Sequence, residues 1–161
     1  MAFRNFENEK YYYDFKEYVV KNIGQFNEGT KRTVVINLIN YCARKKGLSK
    51  ERKIRQELND NYGLYISHRL YRLSGENYFR SDIFLNIISN YFELGKVKES
   101  SEFLENNIDV IQPSHRKNIK ALCRSLIEFE KGNFGQSLRE SSMIKTNYYL
   151  YKYRIKYLNL K

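Results

Sequence analysis

Residues 128–144 read EFEKGNFGQSLRESSMI, and residues 91–104 read YFELGKVKESSEFL. Both contain an aromatic residue, two residues, a glycine, any residue, an apolar residue, two residues and a serine. The earlier copy has Phe92, Gly95, Val97 and Ser100, and the later has Phe129, Gly132, Phe134 and Ser137. The two glycines lie 37 residues apart, close to the roughly 34 of a repeated helix pair. Glycine at a helix C-terminus takes a left-handed conformation that a side chain resists, so two helices can fold back on each other within a few residues. The expectation is a hairpin at each glycine, with Val97 and Phe134 tucked into the turn. Ser100 and Ser137 are the small residues that let the second helix approach the first.

Outward from these turns the pattern is helical nearly throughout. Tyr11, Phe15, Tyr18 and Val19 form an apolar stripe over residues 7–22, and a break is expected over Asn27, Glu28, Gly29 and Thr30. Val34, Val35, Leu38, Ile39, Cys42 and Ala43 resume the stripe over 31–46, with Gly47 as the expected C-terminal cap. Ser49 is placed to cap the next helix, and residues 50–73 form either one bent helix or two. Helices are then expected from Ser81, itself an N-cap candidate, to Gly95, and over 97–107, 114–131 and 134–144. Pro113 opens the second pair, since proline suits a helix start and cannot continue a helix from behind.

Composition fits one soluble domain of 161 residues, 42% hydrophobic and 29% charged,. No apolar run approaches the roughly 18 residues of a membrane span, and MAFRNFENEK lacks a signal-peptide core. The expected location is therefore the cytoplasm. Cys42 and Cys123 form no Cys-x-x-Cys pair and read as reduced, buried thiols. His68 and His115 have no ligand at metal spacing, and phosphate-loop, nucleophile-elbow and dinucleotide motifs are missing. No enzyme, cofactor or metal site is expected.

The charge of +11 points to polyanions as candidate partners. Residues 44–55, RKKGLSKERKIR, hold seven cations against Glu51. Arg44, Lys45, Lys46, Arg52, Lys53, Arg55, Arg69 and Arg72 are the candidate basic surface, which could meet a phosphate backbone. The alternative reading is a solvated helix end whose cations complement the helix dipole. Residues 147–161, NYYLYKYRIKYLNLK, interleave tyrosines and cations. Their candidate contacts are Tyr149, Tyr151, Lys152, Tyr153, Arg154 and Lys156, on which bases could stack. Tyr149, Tyr153, Tyr157 and Leu160 also match a helical face.

With these residues in hand, the chain resembles the tetratricopeptide-repeat superfamily. The run from LINYCARK (38–45) through SHRKN (114–118) to IKTNYYLYK (144–152) is similar to uncharacterised bacterial proteins of that kind. Recognisable repeats fall at about 81–110 and 114–146, a degenerate one at about 31–73, and 147–161 reads as the first helix of a further repeat. Arg124, Glu128 and Ser141 depart from the superfamily pattern, and Arg52 occupies a small-residue slot. The resemblance implies an all-α, right-handed solenoid of antiparallel helix hairpins, about seven or eight helices in one domain. It implies a non-catalytic scaffold binding a protein or peptide. The alternative is RNA or DNA binding through the basic and tyrosine-rich surfaces. Self-association through the C-terminal helix is a further candidate, and no membrane partner is expected.

Overall fold

A computed structural model describes residues 9–48, 51–72 and 77–145. The chain divides into two compact units, residues 1–77 and 78–161. Regular structure among the described residues is helical, apart from one isolated parallel bridge between Phe79 and Ile111.

The first unit contains α1 (Glu9–Asn22), α2 (Glu28–Leu48) and α3 (Arg52–Ser67). The stretch that reads as a break at 27–30 is the start of α2. Asn27 accepts the Thr30 N–H on its side-chain oxygen at 2.8 Å, and its carbonyl accepts from the Lys31 N–H at 2.9 Å. One asparagine thus supplies partners for the helix's first donors. Gly47 does not cap: α2 continues through it to Leu48, and Gly95 and Gly132 are the glycines with positive φ among the described residues. The cap role expected of Ser49 lies outside the described residues.

Within the stretch 50–73, the described residues form α3 and a 3-10 turn, Leu70–Arg72. Between them Arg69 adopts φ 50°, a left-handed position that ends the helix. The turn folds Leu70 and Tyr71 into the core, against α2 and α3. That core is built on Tyr12, Leu38, Tyr41, Cys42, Leu58 and Tyr65, with the Tyr12 and Tyr41 rings stacked at 4.2 Å.

The second unit holds α4 (Ser81–Glu93), α5 (Val97–Asn107), α6 (Pro113–Glu130) and α7 (Phe134–Ser142). The N-cap of α4 is Arg80 rather than Ser81, which is the first helical residue. Arg80 grips Asp82 through two nitrogens, at 3.1 and 2.8 Å. Pro113 opens α6 as expected.

The two glycine turns are the same turn. In the first, the Gly95 N–H donates to the Phe92 carbonyl at 2.9 Å and the Lys96 N–H to Tyr91 at 2.8 Å. In the second, Gly132 donates to Phe129 at 2.9 Å and Asn133 to Glu128 at 2.8 Å. These are the two bonds of a Schellman motif, with the glycines at φ 73° and 79°,.

Ser100 is fully buried and Ser137 is 3% exposed. Ser137 meets Ser125 of α6 reciprocally: each hydroxyl donates to the other residue's carbonyl at 2.8 Å. Two small residues so paired bring α6 and α7 into close contact. Helix α6 also packs against α4 and α5. Phe79, Phe84, Phe103, Ile88, Ile119 and Leu122 fill the core.

Candidate functional site

α2 ends at Leu48 and α3 begins at Arg52, so the last turn of α2 and the first turn of α3 lie at the same end of a packed antiparallel pair. That end gathers Arg44, Lys45 and Lys46 from α2 with Arg52, Lys53 and Arg55 from α3. Arg69 and Arg72 follow α3 at its other end. Across sixteen residues at 1.5 Å each, the two groups are separated by roughly 24 Å. The eight candidate cations therefore form two groups rather than one.

Local contacts hold part of the first group in place. Lys53 sits 4.6 Å from the Tyr13 ring centroid and 3.1 Å from the Glu9 carboxylate. The Tyr13 hydroxyl and then Glu9 hold its ammonium above the usual lysine range. Lys45 lies 5.9 Å from the Tyr41 ring, and Arg55 donates to the Glu51 carbonyl at 3.1 Å. Arg44 and Arg52 are exposed, and so is Leu48 beside them, at 87%. The first turn of α3 carries no acidic residue. In the second group Arg69 owes its position to its backbone, and Arg72 rests 5.8 Å from the Tyr71 ring. The tail contacts Tyr149, Tyr151, Lys152, Tyr153, Arg154 and Lys156 lie outside the described residues.

A second surface lies in the other unit. A cleft of about 390 Å³ is lined by Leu104 and Glu105 of α5, Arg124 and Glu128 of α6, and Gln136 and Glu140 of α7, among others. Glu105 bridges Lys120 at 3.0 Å and Arg124 at 2.9 Å, and these two hold its carboxyl below the usual range. Glu128 accepts from Lys131 at 2.8 Å and Asn133 at 2.7 Å, which lower it likewise. Arg124 and Glu128 thus serve to close the α5–α6 seam and the glycine turn.

Beside this cleft, α7 presents an apolar shoulder. Phe134 does not tuck into its turn. Its ring meets Phe129 edge-on at 5.3 Å but stays 59% exposed, and Leu138, one turn on, is 56% exposed. Their counterparts 37 residues earlier, Val97 and Ser101, are half-buried.

No family model, curated protein or solved structure matches the chain.

One buried polar cluster escapes sequence reasoning altogether. The Tyr12 hydroxyl donates to Glu57 at 3.1 Å and accepts from the Cys42 thiol at 3.2 Å and the Asn61 amide at 3.0 Å. Lys16 completes it at 2.5 Å from Glu57. Burial, above all, pushes Cys42 up to about 11 and raises Tyr12 further in the same direction. A thiol so raised is protonated at neutral pH and a poor nucleophile, so the cluster ties α1 to α2 and α3. Cys42 and Cys123 are fully buried thiols in no disulfide. Among the described residues no three or more His, Cys, Asp or Glu gather in a metal-binding arrangement, and no helix is long and apolar enough to cross a membrane.

Proposed function

We propose that the chain is a non-catalytic helical-hairpin scaffold that binds a protein or peptide partner, its helix pairs stacked as in a right-handed tetratricopeptide-type solenoid. The reading is supported by the two identical glycine turns set 37 residues apart and by the packing of α6 against both helices of the preceding pair. The observation that carries it is the exposed pair Phe134 and Leu138. In the first hairpin the equivalent positions are half-buried, and α6 packs on that helix. The same positions on α7 remain open, and an amphipathic helix with apolar residues at i, i+3 or i+4, and i+7 fits such a face. The two buried thiols, in no disulfide, suit a reducing compartment such as the cytoplasm,.

The experiment is a selection of displayed peptides on the immobilised full chain, with recovered peptides synthesised and titrated. Peptides of that periodicity are expected to bind wild type and to lose at least tenfold in affinity for the Phe134→Glu/Leu138→Glu variant. Failure to enrich any peptide, or binding that ignores the double substitution, overturns the reading. A wild-type chain that self-associates and becomes monomeric on the same substitution would make the partner a second copy.

A further inference from the structure

The chain's positive charge is concentrated. Residues 44–55 carry a net +6 and residues 147–161 a net +4, out of +11. Residues 78–146, by contrast, balance ten cations against nine carboxylates. The excess is therefore a local property, and in the described residues it lies at the α2–α3 corner.

We propose that this corner binds the phosphate backbone of a single-stranded nucleic acid, independently of any partner on α7. The geometry suits a strand. Packed helices lie about 8–10 Å apart, so cations on α2 and α3 are spaced to meet neighbouring phosphates of one strand. Arg44 and Arg52 are exposed residues on the two helices, and guanidinium matches phosphate with two parallel hydrogen bonds. The aromatic rings under the corner, Tyr13 and Tyr41, are engaged by Lys53 and Lys45 and are not exposed. Binding here reads charge rather than bases. A phosphate strand supplies its charge in every register, which suits cations spread over two helices. Leu48 is a lone exposed apolar side chain there, too little for a membrane-inserting face.

The test is fluorescence anisotropy on the full chain with a labelled 20-nucleotide oligouridine, between 50 and 200 mM NaCl. A labelled 20-residue polyglutamate and vesicles containing phosphatidylserine run in parallel. The expected result is oligonucleotide binding whose log affinity falls linearly with log salt. Arg44→Glu/Arg52→Glu should weaken it at least tenfold and flatten that slope by about 1.4, the share of two lost phosphate contacts. Lys98→Glu/Lys117→Glu, on exposed positions of the other unit, should change it less than twofold. Ultraviolet cross-linking of wild type, which needs no variant to fold, should place contacts within residues 44–55. The proposal falls if polyglutamate or vesicles bind as well as the oligonucleotide. Indifference to Arg44→Glu/Arg52→Glu in a folded variant, or cross-links confined to residues 147–161, would also overturn it.

Discussion

Tyr12 is fully buried, yet its hydroxyl has three partners drawn from α2 and α3. Removing that oxygen leaves Glu57, Cys42 and Asn61 each short of a partner, and Cys42 and Asn61 are fully buried. Tyr12→Phe should therefore cost about 1–3 kcal/mol in urea unfolding with an unchanged m-value, the penalty for stranded buried polar groups. A loss below a few tenths would show that the ring stack with Tyr41, rather than the hydroxyl, holds α1. Cys42 makes a pH prediction in the same site. Burial pushes it up to about 11, whereas an unfolded thiol titrates near 8.5. The unfolded chain therefore loses this proton first. Its contribution to stability is complete below about pH 8.5 and is lost as pH rises through 11. Stability should fall between pH 8 and pH 10.5, with a smaller fall in Cys42→Ala, measured by urea titration at both values. None of this was legible in the sequence, because the partners of Tyr12 lie 30 to 49 residues away and local periodicity carries no such pairing.

At the scale of the element, glycine divides into two kinds that composition alone does not distinguish. Gly95 and Gly132 have positive φ, while Gly63 lies inside α3 with open space where a Cβ would go. One substitution should therefore act in opposite directions. Gly63→Ala should stabilise by about 0.5–1 kcal/mol through helix propensity, and Gly95→Ala and Gly132→Ala should each destabilise by about 1 kcal/mol through the left-handed backbone. Melting temperatures of the three variants check this together. Ser137 offers a sterner case: Ser137→Val breaks the reciprocal bonds with Ser125 and forces a methyl into the α6–α7 seam. A loss of about 1–3 kcal/mol is expected from overpacking alone. The sequence marked both turns because a glycine turn is encoded within a few residues. It misplaced Gly47 as a stop and Asn27 as a break, since the side-chain cap that starts α2 also rewrites where the helix lies. It also buried Phe134, whose exposure depends on what packs beside α7.

At the scale of the whole chain, each compact unit carries its own aromatic core, Tyr12, Tyr41 and Tyr65 in one and Phe79, Phe84 and Phe103 in the other. A fragment of residues 78–161 should consequently retain a helical circular-dichroism spectrum and a cooperative thermal transition; a non-cooperative melt would show that its core is insufficient alone. The helical class was legible because stripes of 3.6 period recur along the chain. The basic surface was only half legible. Sequence proximity placed residues 44–55 together, but Arg69 and Arg72 are carried off along α3, and their separation is a matter of helix length rather than charge. The tyrosine-rich segment 147–161, expected as a further helix, lies outside the described residues.

The two glycine turns, finally, make the stretch between them an interchangeable part. Leu94, Gly95 and Lys96 share their backbone angles closely with Lys131, Gly132 and Asn133, although the flanking residues differ in charge and size. A splice that joins residue 131 directly to residue 95 therefore meets matching geometry on both sides of the joint. Under the proposed solenoid reading, a chain that duplicates residues 95–131 is expected to fold with one further 37-residue period, as a ladder is extended by adding rungs at their fixed spacing.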